Sequence, residues 1–262
     1  MTSETDRTAV SSRTRTETFI RHIEQHEELA STNDRALELA ADGGLPLPAI
    51  VLAERQTSGR GRGSNVWQSG PGALTFSLVV ERPSGLPRER MSVLSLAAGL
   101  AVRDAVAAVV PGHAVKVKWP NDVYLDGRKV CGILTEVPSA FPDRAVVGIG
   151  LNVNNSLDDA PDDVRRRAVS IAETTGHAVD AAELLVSLLV RLESEVQSFA
   201  DQGGVPVARW AAHCLLTDRQ VRLRNPAGEV TGLCLGVSDE GALLLDGPNG
   251  MQAHRAGEVI AF

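Results

Sequence analysis

The stretch AIVLAERQTSGRGRGSNVWQSGPGALTFSLVVE, Ala49 to Glu81, decides the fold class. It opens with an apolar run, Ala49–Gln56, and closes with a β-branched, partly alternating one, Ala73–Glu81; both read as strands. Between them glycine and arginine alternate from Gly59 to Gly63 and the run ends at Trp67. The glycines therefore join two strands and do not open a helix, which excludes the phosphate loop of P-loop proteins and the dinucleotide-binding GxGxxG. Glycine lets the backbone bend and approach a ligand closely. Arginine brings forked donors that match phosphate or carboxylate, and tryptophan a flat face. Such a loop suits an anion that carries an aromatic ring; an exposed basic turn with a core tryptophan is the plainer alternative. Its glycines also predict disorder around residues 59–67 in the absence of ligand, because such backbone is entropically costly to hold.

Working outward, Ser31–Asp34 reads as the capped start of a helix that stops at Gly43. Arg90–Val110 is a long apolar helix ended by Pro111 and Gly112. Residues 114–137 read as strand, break at Pro120, strand, turn at Asp126–Gly127, strand. Ala145–Asn154 is a further strand whose glycines imply close backbone approach. Ala181–Phe199 is an amphipathic helix. After about Leu216, short strands broken by Asn-Pro, Ala-Gly, Glu-Gly and Asn-Gly fit a small all-β module. Strands and helices do not alternate strictly, so the main domain is α+β with no doubly wound sheet.

Composition narrows the function. With 262 residues, 43% apolar and 23% charged, the chain reads as an ordinary soluble protein with one domain and a smaller second one. A net charge of −7 argues against broad nucleic-acid binding. No apolar run is long enough to span a bilayer, and the polar N-terminus lacks the core of a secretory signal. Residues 1–18, rich in Ser, Thr and Arg, read as a disordered tail. Cys131, Cys214 and Cys234 lack CxxC spacing, which points to reduced core thiols in a cytoplasmic protein without zinc.

A second informative stretch is KWPNDVYLDGRK, Lys118 to Lys129. It places Lys118 and Lys129 around a proline-broken turn bearing Asn121 and Asp122. Lys129 leads directly into an apolar strand, a long cation at the mouth of a buried element; a solvated surface hairpin is the alternative. Asn152 and Asn154 are amides on a core strand and need partners, a ligand's base edge or a turn's backbone.

In order, STN (31–33), Gln56, GRGR (59–62), Trp67, KWPND (118–122), Lys129 with GIL (132–134) and GIGLNVN (148–154), followed by the β module, resemble the biotin protein ligases from Phe19 onward. The resemblance implies a class II aminoacyl-tRNA synthetase-like mixed sheet with helices over residues 19–215 and an SH3-like barrel over 216–262. It implies ATP-dependent, Mg²⁺-requiring activation of biotin to biotinyl-5′-AMP, then transfer to a lysine of the biotin carboxyl carrier domain of a carboxylase. Carried over by motif, Ser31, Thr32, Asn33 and Gln56 bind biotin. Arg60, Gly61, Arg62 and Lys129 surround its carboxyl end, and Arg60, Arg62 and Lys129 are the expected catalytic cations. Trp67 stacks on adenine, Lys118, Asn121, Asp122 and Asn152 serve the nucleotide, and Asp122 serves the metal. Asn65 stands where many bacterial members carry an arginine, in the manner of eukaryotic holocarboxylase synthetases. The segment before Phe19 is too short for the DNA-binding domain of repressor-type members, so DNA binding is not expected. Lipoate or octanoate ligases are the nearest rival reading, and a noncatalytic binder a remoter one.

Overall fold

Alternation along the strands gives one sheet two unlike faces. The computed structural model describes residues 4–84 and 86–262. Helix α1 (Glu4–Glu17) precedes strand β1 (His22–Leu29), helix α2 (Thr32–Ala40) and strands β2 (Ala49–Gln56) and β3 (Leu74–Glu81). A 3₁₀ turn at Arg88–Val93 enters α3 (Leu94–Val109), followed by β4 (Val115–Lys118), β5 (Asp122–Leu125), β6 (Arg128–Glu136) and β7 (Arg144–Leu151). These strands form a seven-stranded sheet of order β1-β2-β3-β7-β6-β5-β4, parallel at β1–β2 and antiparallel elsewhere.

One face is apolar along its length. Ile50, Leu52, Phe76, Leu78, Val147 and Ile149 share a core with α3 and with α6 (Ala181–Gln202). The opposite face changes character midway. Ala49, Val51, Val79 and Val146 pack under Ala36 and Ala40 of α2. Further along, the same face carries Ser77 opposite Gly148, and Thr75 opposite Gly150, which faces Gly132 in turn. These small residues give helices no ridge to pack on and leave a shallow floor.

Two short helices, α4 (Asp162–Arg167) and α5 (Ile171–Thr175), border that floor, and α5 starts in a capping box between Ser170 and Glu173. Helix α7 (Val207–His213) leads to the C-terminal strands β8 (Gln220–Asn225), β9 (Gly228–Val237), β10 (Leu243–Gly247), β11 (Gly250–His254) and β12 (Glu258–Ala261). They form a separate antiparallel sheet, β11-β10-β9-β8-β12. The fold is thus α+β, with a mixed sheet and a second, antiparallel one, as the strand pattern predicts.

Two expectations need correction. Disorder of residues 1–18 does not hold for Glu4–Glu17, which is helical; Val10 packs on the core and Thr14 is fully buried. A polar composition hid a helix that tertiary contact supports. Met1–Ser3 lie outside the described residues. Helix α2 stops before Gly43, because Ala41 turns its N–H back onto Glu38 and Leu39. The glycine–arginine loop is a tight hairpin: Arg60 bridges Val66, Gly61 N donates to Asn65 O at 2.8 Å and Trp67 N to Gly59 O at 3.0 Å.

Candidate active site

A cleft of about 530 Å³ lies on the open half of the sheet face. It is lined by Ser31, Thr32, Asn33, Gln56, Arg60, Gly61, Arg62, Trp67, Lys118, Asn121, Asp122, Lys129 and Asn152, whereas the Asn154 amide lies outside it and bonds the Val179 backbone. The register explains this convergence. Lys118 pairs with Asp122, Asp122 with Gly132, Gly132 with Gly150 and Gly150 with Thr75, so one row crosses the floor. Directly paired residues project to the same side.

At one end the row meets a polar pocket lined by hydroxyls and amides. Ser31 caps α2 by accepting from Asp34 N. Thr32 donates to Gln56 Oε1 from its N–H at 2.6 Å and from its hydroxyl at 3.1 Å. Ser77 Oγ lies 2.8 Å from Thr32 Oγ1 and 2.6 Å from Asn33 Oδ1. Ser31, Thr32, Asn33 and Ser77 are all buried. Asn33 fits because residue 148 is glycine; a Cβ there would fall 2.8 Å from Asn33 Cγ.

In the middle, the Trp67 ring lies over Gly150 and borders Gly132, where any side chain would collide with it or crowd it. Its Nε1 is buried without a protein partner among the described residues, as is Thr75 Oγ1 beside it. Such groups in a cleft are open to a polar ligand or to water.

The other end is cationic. Lys129 Nζ is 2.6 Å from Asp122 Oδ1. Lys118 is 9% exposed, donates to Val259 O at 3.4 Å and sits 5.0 Å from the Phe262 ring. Burial pulls its pKa down against the opposing pull of Asp122, and burial likewise lowers that of Arg62. Arg62 donates to Gly257 O. Asn121 braces the turn through Ile133 O at 2.6 Å, and Asn152 accepts from Asn155 Nδ2 at 3.1 Å. Cys131 is fully buried and its thiol pKa is pushed up by desolvation, so it offers no thiolate.

Several residues in or behind the cleft escape a motif reading. Ser77 and Glu136 hold the pocket, the latter through Arg60 and Asn33 Nδ2. Tyr124, Arg167 and Glu258 line the cleft itself. Ser77 does leave a trace, a lone hydroxyl in an apolar strand. Glu258 reaches the site only because the second sheet docks its last strand there, which local sequence cannot report. Among the described residues, no group of three His, Cys, Asp or Glu side chains is placed to hold a metal. Nor is any described helix long and apolar enough to cross a membrane.

Residues 27–152 match the biotin/lipoate A/B protein ligase family, and residues 217–261 the biotin protein ligase C-terminal domain. The chain is 38% identical over 240 residues to the biotin–acetyl-CoA-carboxylase ligase of Paracoccus denitrificans, spanning 88% of this chain and 96% of that protein. The chain belongs to the biotin protein ligases. A second member of that family, the biotin–acetyl-CoA-carboxylase ligase of Mycobacterium tuberculosis, is 34% identical, with 92% of this chain and 89% of the relative aligned. Among solved biotin protein ligases, the Aquifex aeolicus protein in complex with biotin and ATP superposes with a TM-score of 0.77 at 28% identity. The match covers 91% of this chain and 97% of that one.

Proposed function

We propose that this protein activates biotin with ATP to biotinyl-5′-AMP and transfers the biotinyl group to a lysine of a biotin carboxyl carrier domain, as a cytoplasmic enzyme. The observation that carries this reading is one cleft with a pocket of hydroxyls and amides at one end and cations at the other. Thr32, Asn33 and Gln56, with Ser31 at the helix cap, hold the neutral bicyclic end of biotin. Thr75 Oγ1 and Trp67 Nε1 offer two more polar contacts beside them. The biotin carboxylate then extends along the floor toward Arg60, Gly61, Arg62 and Lys129.

The carboxylate is itself the nucleophile. Its oxygen bonds to the α-phosphorus of ATP as the bond to the pyrophosphate oxygen breaks. Repulsion between two anions is the main obstacle, and Arg62, Lys118 and Lys129, partly desolvated, oppose it. In the second step the acceptor amine attacks the acyl carbon, AMP leaves and the amine sheds a proton. Trp67 keeps one face on the glycine floor and turns the other to the cleft, where it stacks on the base; Asn152 and Asn121 brace the nucleotide. Mg²⁺ fits as a companion of the phosphates, since hard dications bind through phosphate oxygens and one or two carboxylates, and Asp122 supplies one. The hairpin closes over the mixed anhydride and excludes water.

Residues 19–215 form the catalytic domain, related in this reading to class II aminoacyl-tRNA synthetases, and 216–262 an SH3-like module. Its segment from Gly257 onward meets Arg62 and Lys118 through backbone carbonyls. The match over 217–261 favours biotin over lipoate or octanoate. Incubation with biotin, ATP, Mg²⁺ and a carrier domain is expected to add one biotinyl mass to one lysine. Failure on a carrier that another ligase modifies would refute the reading.

A further inference from the structure

The loop and the pocket floor share one carboxylate. Glu136, the last residue of β6, accepts from Arg60 through both terminal guanidinium nitrogens, at 3.1 and 2.5 Å, and from Asn33 Nδ2 at 2.8 Å. An ionised carboxylate only accepts, so it holds the Asn33 amide with its NH₂ toward Glu136 and its oxygen toward Ser77. Ser77 then touches Thr32, and Thr32 meets Gln56. Gln56 ends β2, three residues before the loop begins. One polar chain thus leaves the loop at its base, crosses the pocket floor and returns to the loop at Arg60. Arg60 has a second partner, Asp34 Oδ1 at 2.9 Å, but that side chain is 50% exposed on the rim and more weakly held.

We infer that Glu136 is a positioning residue that couples closure of the Gly59–Trp67 loop to the orientation of Asn33 in the pocket. The inference rests on the ligase reading above. With the loop closed, Arg60 neutralises Glu136 and the carboxylate stays aimed at Asn33. With the loop lifted, Glu136 is freed into solvent and the amide is oriented only by its longer bond to Leu134 O, at 3.4 Å, and by Ser77. Coupling of this kind is reciprocal: an ordered pocket favours the closed loop as strongly as the closed loop favours an ordered pocket.

The test follows release of preformed biotinyl-5′-adenylate by chase from wild type, E136Q, R60Q and the double variant, so that adenylation chemistry does not enter. Glutamine keeps the size of the side chain but turns donors toward the Arg60 guanidinium. E136Q is expected to speed release about fivefold, which corresponds to about 1 kcal/mol and suits a partly exposed charge-assisted pair. Because Glu136 acts through Arg60, the double variant should release the adenylate no faster than R60Q alone. E136A also removes the shorter of the two acceptors of Asn33 Nδ2 and leaves only Leu134 O at 3.4 Å, so it should raise the KM for biotin with kcat little changed. Unfolding midpoints taken alongside identify any variant that is merely destabilised. Release from folded E136Q at the wild-type rate, or additive effects in the double variant, would overturn the inference while leaving the ligase reading intact. Wild type that neither makes nor binds the adenylate would remove both.

Discussion

Gly150→Ala asks whether the floor of the cleft is built to receive Trp67. Residue 150 lies in extended backbone within β7, with no positive φ, so alanine is compatible with the strand itself. The added Cβ, however, would sit 2.6 Å from Trp67 Cζ2 and 2.7 Å from Cδ2. Carbon atoms pack at about 3.5–4.0 Å, so the indole must rise by roughly 1 Å. Trp67 belongs to a hairpin that can lift, so the penalty falls on loop closure and ligand binding and spares the fold. Overpacking of this size costs about 1–3 kcal/mol, or roughly 5- to 150-fold in affinity for the adenylate. The melting temperature should move by about 2 °C or less, as for a substitution worth under about 0.5 kcal/mol to the fold. Gly132→Ala is the graded control. Its Cβ would meet Trp67 Cζ3 at 3.6 Å and the flexible end of Lys129 at 3.2 Å, so a milder loss is expected. Measured affinity for biotinyl-5′-adenylate and the fluorescence of bound protein report the outcome. Wild-type binding by Gly150→Ala would refute the placement of Trp67 on the floor.

Lys129→Ala should lower biotin-dependent adenylation about 10²- to 10³-fold, the loss typical of one stabilising donor, with the fold intact; single-turnover AMP formation tests this, and wild-type rates would remove Lys129 from the chemistry. Ser170→Ala breaks the capping box of α5, whose first N–H donates to Asn152 O. A loss of about 1 kcal/mol in urea unfolding is expected, and an unchanged midpoint would contradict it. Arg35, bonded to Glu24 at 2.8 and 2.9 Å, holds that carboxyl at about 2 against its ordinary 4.5. A depressed folded-state pKa contributes stability that is fully present above pH 4.5 and is lost as pH falls toward 2. Glu24→Gln should therefore flatten the fall of unfolding free energy across that window, and an unchanged slope would count against the bridge.

The central architecture was legible because its punctuation is strong. Pro120, Asp126–Gly127 and Pro111–Gly112 mark the ends of elements, and the apolar runs between them contain the observed β4, β5, β6 and β7. The residues that line the cleft were legible where motif order carried them. What stayed hidden depends on tertiary contact. Helix α1 has little apolar periodicity and holds through Val10 and Thr14 against the body of the domain. Glu136 reads as an ordinary strand-end acid until the register places it over Asn33. Gly257 and Val259 contribute only backbone carbonyls, for which no side-chain pattern exists.

Carboxylate-dependent exchange of labelled pyrophosphate into ATP, with biotin, lipoate and octanoate compared on the same protein, is the most direct test of biotin activation. Exchange with biotin alone is the expected result. Exchange with lipoate or octanoate in its place, or none with any of the three from folded protein and Mg²⁺, would contradict it.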